Sequence, residues 1–267
     1  MRDLLDLYRA FLSIRIAEQL QYRVAAAIWL IDIALSPLIS IIIWSAVAKS
    51  QGGMVNGYTI SSFAAYFIAA MLVNYVTDTW VFWEFEWRIR KGMFSSALLK
   101  PVHPVHGDVA NNLAYKLLML FVIAPVTLLL VVLFHPVFHL HWWHVPLLLV
   151  ALIQAYIVRF SIEWTLGMVA FWTTRVSVLN QLYVALLLFL SGQMVPLTFF
   201  PASVQIVASV LPFRSMVAFP VELALGTLSL NEMLSGLAVQ SIWVVLSVVL
   251  LVVVWRIGIR RYSAVGA

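Results

Sequence analysis

Six long apolar runs constrain this chain more than any other feature of its sequence. They cover residues 24–48, 60–83, 113–134, 146–172, 176–195 and 237–255. Each is close to the roughly 20 apolar residues that one helix needs to cross a bilayer. Of the 267 residues, 64% are hydrophobic and 10% are charged, whereas soluble domains are about a quarter charged. The sequence therefore predicts an all-α integral membrane protein with six transmembrane helices in a single domain, 1–267.

The residues before the first run predict an amphipathic helix at the membrane surface. Within segment 1–23, apolar residues such as Leu4, Tyr8 and Phe11 recur at three- and four-residue spacing, while the arginines occupy other positions. A helix of this kind lies in the headgroup plane with its arginines toward anionic lipid. A simple cytosolic extension is the alternative interpretation.

The distribution of basic residues predicts the orientation of the chain. Most of its 16 lysines and arginines lie in four segments. These segments precede the first run, join the second run to the third, join the fourth to the fifth, and follow the last run. The opposite side has only Lys49 and Arg214. Because cytoplasmic loops are enriched in basic residues, both termini and the loop 84–110 are predicted to be cytoplasmic.

Polar residues inside the runs form a candidate substrate path. Arg159 lies near the middle of the fourth run, where a charge costs about 3 kcal/mol on insertion scales and should therefore face protein or water. Glu163 follows one helical turn later, and Asp32 in the first run is a second possible partner. With Asn74, these residues line the predicted path. The alternative is that such groups, Asp78 included, only hold helices together.

The polar stretch after the second run carries a series of helix signals. The four-residue spacing of Phe85, Ile89 and Met93 predicts that the second helix continues into the cytosol. Gly92 permits a bend, and a proline at 101 predicts a turn near Lys100. Since aspartate is a good N-cap, Asp108 predicts the start of the third transmembrane helix.

A proline-rich segment before the last run cannot be a straight spanning helix. Residues 196–233 are moderately apolar but contain Pro196, Pro201, Pro212 and Pro220, which would leave several carbonyls without partners in lipid. Short pieces between the prolines keep helical spacing. The sequence therefore predicts a re-entrant or interfacial helical hairpin on the extracytoplasmic side.

The sequence lacks the motifs of the common nucleotide-hydrolysing and hydrolytic enzymes. It contains no G-x-x-x-x-G-K-[ST], no H-E-x-x-H and no G-x-S-x-G, and it has no cysteine. The only group of metal-ligand types is a predicted outer loop with His135, His139, His141 and His144. Imidazoles suit zinc or copper, but no carboxylate is near, so a solvated interfacial loop is the preferred interpretation and no metal site is predicted.

Three parts of the chain together resemble the ABC-2 class of ATP-binding-cassette exporter permeases. The first is an amphipathic helix before six crossings. The second is similar to the family's cytoplasmic "R-x-G … L-L-[RK]-P" stretch and consists of Arg88, Ile89, Arg90, Lys91, Gly92, Leu98, Leu99, Lys100 and Pro101. The third is similar to the family's proline-marked hairpin and includes Gly192, Pro196, Phe200, Pro201, Leu211, Pro212, Phe213, Pro220 and Gly226.

The resemblance implies a permease subunit that is not itself an enzyme. It implies a dimer, with a second copy or a sister permease, in a bacterial inner (plasma) membrane. Two separate ATPase subunits would bind ATP and Mg²⁺, and the loop after the second crossing would be the coupling helix that docks on them. This chain would bind no cofactor itself and no nucleic acid, and would move a substrate out of the cytoplasm.

Two other classes of function compete with the exporter. One is a membrane enzyme acting on a lipid-linked substrate, with the polar groups of the fourth run and the histidine loop as its site. The other is a membrane scaffold for a cytosolic complex. For the basic residues of the loop 84–110 alone, ATPase docking and the ordinary cytoplasmic charge bias explain the sequence equally well.

Overall fold

The computed structural model describes the backbone of residues 2–20, 23–173 and 176–262, and the side chains of residues 6–17, 34–173 and 176–262. This part of the chain is almost entirely helical. The helices are α1 (Arg2–Leu20), α2 (Arg23–Ser50), α3 (Ile60–Thr77), α4 (Val81–Arg90), α5 (Met93–Leu98), α6 (Pro104–Phe134), α7 (His144–Met168), α8 (Ser177–Leu190), α9 (Ala202–Val210), α10 (Pro212–Met216), α11 (Ala218–Leu225) and α12 (Leu230–Gly258). Two short strands, β1 (Met54–Val55) and β2 (Tyr58–Thr59), pair antiparallel between α2 and α3.

Four helical segments in the described residues are long and apolar enough to cross a membrane. They are Ile60–Arg90, Pro104–Phe134, His144–Phe171 and Leu230–Gly258. The described apolar parts of the first and fifth runs, Ala34–Ser50 and Ser177–Leu190, are shorter. The predicted all-α membrane protein is thus confirmed with four spans, and the other two crossings stay predictions.

The second run is not one helix, because the chain breaks between α3 and α4. Asp78 has extended backbone angles (φ −61°, ψ 144°), and its N–H makes the last helical bond, to the carbonyl of Asn74. No proline or glycine lies between Thr77 and Trp80. The expectation of a continuous helix over 60–83 is therefore wrong, and the cause is tertiary: side chains of α6 and α7 hold the broken backbone.

Gly92 produces the bend between α4 and α5. Its φ of +68° lies in the left-handed region, which glycine adopts without steric cost. The helix α5 then ends at Leu98, close to the turn that Pro101 predicts.

The start of α6 differs from the prediction. Asp108 is not its N-cap, since the helix already begins at Pro104. The side chain of His103 caps it by accepting a hydrogen bond from the backbone N–H of Val105 (3.2 Å), and proline is favoured at the first helical position. Asp108 lies one turn inside, where its carboxylate binds other side chains.

The proline-rich segment forms three short helices, and the prolines lie at their ends. Pro196 precedes a 3-10 turn, Pro201 is the N-cap of α9, and Pro212 opens α10. The helices α10 and α11 are almost fully buried against α3 and α7. Gly192 lies before this segment, and its carbonyl accepts a hydrogen bond from the hydroxyl of Tyr66 (2.6 Å). The membrane depth of this hairpin stays a prediction.

The bundle is organised around α3 and α7. α12 packs along α7, while α3 is surrounded by α2, α6, α7 and α11. The amphipathic helix α1 packs against α6, where the Tyr8 hydroxyl lies 3.0 Å from Nδ1 of His106. Apolar side chains such as Phe121, Leu128 and Ile242 point outward from α6 and α12, as expected of surfaces in contact with lipid.

Candidate functional site

The centre of the candidate site is an ion pair on α7. Arg159 and Glu163 are one turn apart, and Nε of Arg159 donates to Oε1 of Glu163 at 2.9 Å. Arg159 is 5% exposed and Glu163 is fully buried. Because a buried charge is strongly unfavourable without a partner, this pair satisfies the requirement that the sequence sets for Arg159.

The guanidinium also binds the end of α3. One terminal nitrogen of Arg159 donates to Oδ1 of Asn74 (3.1 Å) and Oγ1 of Thr77 (3.2 Å), and the other donates to Oδ1 of Asp78. Arg159 therefore links α7 to the last turn of α3 and to the break that follows it.

Glu163 connects the same pair to two further segments. Its Oε2 accepts a hydrogen bond from the hydroxyl of Thr79, inside the break. Its Oε1 accepts one from the hydroxyl of Tyr183 (3.0 Å), on α8. The carboxylate thus holds the break, α7 and α8 together, and we call the set of Asn74, Thr77, Asp78, Thr79, Arg159, Glu163 and Tyr183 the Arg159 network.

The carbonyls exposed by the break are bound by side chains of α6. Nζ of Lys116 donates to the carbonyl of Tyr75 (3.0 Å) and to that of Asp78 (2.7 Å). Nδ2 of Asn112 also donates to the carbonyl of Asp78 (3.2 Å). The hydroxyl of Tyr75 donates to the carbonyl of Lys116 in return. These bonds satisfy backbone groups that α3 leaves without helical partners.

A cavity of about 240 Å³ opens beside this network. Polar side chains from α2, the end of α3, α6 and α7 line it, and the apolar part of its wall comes mainly from the middle of α3. The lining residues are Ser36, Pro37, Ser40, Phe67, Ala70, Met71, Asn74, Tyr75, Asp78, Trp80, Asn112, Tyr115, Lys116, Arg159 and Gln193. The side chain of Asp78 remains 40% exposed. A concave site with an apolar body and a few polar groups is the usual form of a small-molecule pocket.

The structure brings part of the predicted path together at this cavity. Asn74 and Arg159 line it, and Glu163 lies behind Arg159. The backbone of Asp32 lies in α2, but its side chain lies outside the described residues. The predicted set omitted Lys116 and Asp78, although an ionisable residue within an apolar helix is a signal for a functional site.

The predicted coupling stretch has an exposed side at α5. Leu99 is 87% exposed, and Arg90, Lys91, Lys100 and Pro101, which like Leu99 flank α5 in the chain, are also exposed. We call these five residues the α5 surface. Gly92 forms the bend within this stretch, and Leu98 is half-buried.

The opposite side of α4 and α5 is anchored in an aromatic cluster. Phe85 and Phe94 are fully buried. The ring of Phe85 lies 5.0 Å from that of Trp164 on α7, and the ring of Phe94 lies 6.2 Å from that of Trp255 on α12. The α5 surface is therefore the outer side of a segment with a firmly packed base.

Arg88 belongs to this base rather than to the α5 surface. It donates to Oδ1 of Asp108 (2.8 Å), and its guanidinium lies 5.4 Å from the centre of the Phe85 ring. The second oxygen of Asp108 accepts from Nε1 of Trp164 (2.9 Å). The sequence gives no sign of this difference between Arg88 and its neighbours, because all are cations in one short stretch.

The histidine loop forms no metal site among the described residues. No group of three or more histidine, cysteine, aspartate or glutamate side chains there is arranged to hold a metal ion. The backbone N–H of His139 donates to the carbonyl of Leu225 (2.9 Å), and Nδ1 of His144 accepts from the N–H of His141 (3.3 Å). The first contact joins the loop to the proline-rich segment, and the second lies within the loop.

Comparison with known proteins identifies the family. A search of curated proteins found no match. A family model described as an ABC-2 family transporter protein matches residues 34–266, and this range includes the cavity, the α5 surface and the proline-rich segment. The multi-pass helical structure and this match over most of the chain agree. The chain belongs to the ABC-2 family of transporter proteins.

Proposed function

We propose that this chain is the permease subunit of an ABC exporter, which moves its substrate out of the cytoplasm with energy from separate ATPase subunits. The observation that carries the proposal is the α5 surface. It exposes a leucine and three cations on a segment whose other side is packed against α7 and α12. Trp87 and Met93 in the same stretch are also exposed, 49% each, and several large exposed apolar side chains among polar residues are typical of an interaction site.

A series of side-chain contacts connects this surface to the cavity. Phe85 of α4 packs on Trp164, and Trp164 follows Glu163 directly in α7. Glu163 belongs to the Arg159 network, and Arg159 lines the cavity. When ATP draws the two ATPases together, the α5 surface moves, α4 and α7 move with it, and access to the cavity changes from one side of the membrane to the other.

The assembly that fits this role is a dimer of permeases with two ATPases. The partner permease is a second copy or a sister chain. Both termini and the α5 surface face the cytoplasm of a bacterial cell, in agreement with the placement of the basic residues. ATP and Mg²⁺ are bound by the ATPases.

Site-specific cross-linking tests the proposal. A photo-reactive amino acid at Leu99 is expected to cross-link an ATP-binding-cassette ATPase in native membranes, whereas the same group at Leu129, an exposed position on α6, should cross-link only lipid or another permease. ATP turnover by the purified complex should be sensitive to vanadate and should require this chain. Absence of an ATPase from the Leu99 product, together with turnover that does not depend on the chain, would refute the proposal.

The structure favours this role over a membrane enzyme built from α7 and the histidine loop. His144 and Arg159 are 15 positions apart on one helix, which separates them by about 22 Å at ~1.5 Å per residue. Side chains so far apart do not act on one reacting bond, because catalytic groups must lie within about 3 Å of the atoms they serve.

A further inference from the structure

The break at 78–80 raises a mechanical question for the proposed exporter. α4 carries the α5 surface, and α3 carries the cavity wall, yet no regular helix joins the two. A flexible break would absorb the displacement of α4 instead of passing it on. The contact of Phe85 with Trp164 joins α4 to α7. The second connection, along the backbone from α4 to α3, passes movement on only if side chains hold the break in a fixed geometry.

Lys116 is placed to do this. Its ammonium binds two carbonyls that follow the last helical acceptor, that of Tyr75 in the final turn of α3 and that of Asp78 in the break. The carboxyl end of a helix is its negative pole, and broken helices in transporters use such carbonyls to hold a coupling cation. In this chain the cation at the equivalent place is the ammonium group of Lys116, a side chain of α6.

The remaining contacts make this fastening specific to α6. Nδ2 of Asn112 reaches the same carbonyl of Asp78 from one turn earlier, and the hydroxyl of Tyr75 binds back to the carbonyl of Lys116. All four residues line the cavity. The residues that hold the break to α6 therefore also form part of the cavity wall.

We propose that Lys116 is a positioning residue for transport, which fastens the break between α3 and α4 to α6 so that movement of the α5 surface reaches the cavity. The inference rests on the proposed exporter function. Lys116 is not part of the α5 surface and acts through the backbone of α3, so its removal should separate ATP turnover from the response of the cavity.

The chain has no cysteine, so a single introduced cysteine reports on the cavity. Ser40 lines the cavity from α2. In the complex with its ATPase in lipid nanodiscs, the rate at which a maleimide labels Ser40→Cys should differ roughly fivefold or more between the nucleotide-free and vanadate-trapped states, the lower range of allosteric coupling.

Adding Lys116→Met should lower that ratio by about half or more while vanadate-sensitive ATP turnover continues, because the connection from α4 to α3 is weakened and the contact of α4 with α7 remains. Lys116→Arg, which keeps a cation with several donors, should restore the ratio. Lys49→Met removes an exposed lysine at the end of α2 and should leave the ratio unchanged. If Lys116→Met fails to assemble, Tyr75→Phe is used, which removes one bond of the same fastening and should lower the ratio.

The two ways of failing are distinct. A Ser40→Cys chain that neither assembles with an ATPase nor responds to nucleotide overturns the exporter function. If the labelling ratio is the same with lysine and with methionine at 116, only the role of Lys116 is overturned. Where methionine prevents assembly, equal ratios with tyrosine and with phenylalanine at 75 have the same meaning.

Discussion

At the scale of single residues, the shape of one guanidinium explains the Arg159 network. Arginine carries five N–H groups in a rigid plane, whereas lysine has three on a flexible stem. Arg159 uses this geometry to reach Glu163, Asp78, Asn74 and Thr77 at once. No other basic side chain could hold α7, the end of α3 and the break in this way.

Replacing Arg159 by alanine should destabilise the protein strongly. Loss of one partner from a buried ion pair costs about 3–5 kcal/mol, because the remaining charge has lost its counterion. Lys49→Ala, at an exposed position, is the matched control and should change the unfolding midpoint in detergent very little. Equal midpoints for the two variants would contradict the central place of Arg159.

Acidification should weaken the start of α6 through His103. Burial lowers the pKa of His103, His106 lowers it further, and Asp108 opposes both. Nδ1 of His103 caps α6 as an acceptor, which only the neutral ring with its proton on Nε2 can provide. Since the folded-state pKa lies below the unfolded value of about 6.5, this stability is present above that pH and is lost as the pH falls through the folded pKa.

The variant His103→Asn keeps a capping oxygen that does not titrate. We expect the unfolding midpoint of the unmodified chain to fall more than that of His103→Asn between about pH 7 and about pH 5. The comparison uses the change with pH, because the substitution also removes the contact of His103 with Trp255. Identical changes would show that His103 does not contribute.

The residues at the centre of the site show the limits of sequence at this scale. The cost of an unpaired charge in lipid predicts that Arg159 has a partner, and Glu163 lies at the right spacing to be that partner. Lys116 has no comparable pattern, because its partners are backbone carbonyls on another helix. Carbonyls at a break are invisible in a sequence until the break itself is known.

At the scale of elements, α4 and α5 have two sides with different roles. The base, with Phe85, Arg88 and Phe94, is packed on α7 and α12. The α5 surface is open. This division predicts that two arginines two positions apart respond differently to the same substitution.

Arg88→Ala should lower the stability of the chain, by about 1–3 kcal/mol, because Asp108 loses a buried charged partner. The side chain of Arg88 is 16% exposed, whereas that of Arg90 is 58% exposed and pairs with Glu86. Arg90→Ala should therefore leave the unfolding midpoint nearly unchanged and weaken ATPase binding, measured by co-purification and ATP turnover. The reverse pattern would show that the two sides are wrongly assigned.

The contact between α11 and α12 depends on a small residue. A Cβ at Gly236 would lie 2.1 Å from Cε2 of Phe219, so Gly236→Ala should cost about 1–3 kcal/mol through overpacking. Gly107→Ala is the control, since no atom lies within 4 Å of a Cβ there and alanine is the better helix former by about 1 kcal/mol. Thermal unfolding should move in opposite directions for the two variants.

The sequence predicts that a helix or turn exists more reliably than it predicts where that element begins and ends. Apolar length predicts the spanning helices, and proline and glycine predict the turns near Gly92 and Pro101. The start of α6 at Pro104 was missed because Asp108 is the better capping residue by type, although tertiary bonds use its carboxylate. The break at 78–80 was missed because no helix-breaking residue marks it.

At the scale of the whole molecule, the aromatic base and the Arg159 network meet on α7. Trp164 belongs to the base and Glu163 to the network, and they are adjacent in the chain. One helix therefore belongs to both clusters. The sequence predicted the family and the membrane class, but the meeting of the two clusters depends on helix packing and appears only in the structure.

The α5 surface has a consequence for assembly. Anionic headgroups attract basic side chains near the membrane by about 1 kcal/mol each, and Arg90, Lys91 and Lys100 of this surface are exposed. In the proposed exporter, headgroups and the ATPase therefore compete for this surface before assembly. At constant salt, ATPase binding to the reconstituted chain should therefore weaken as the fraction of anionic lipid rises. Anionic lipid would then act as a competitive inhibitor of assembly.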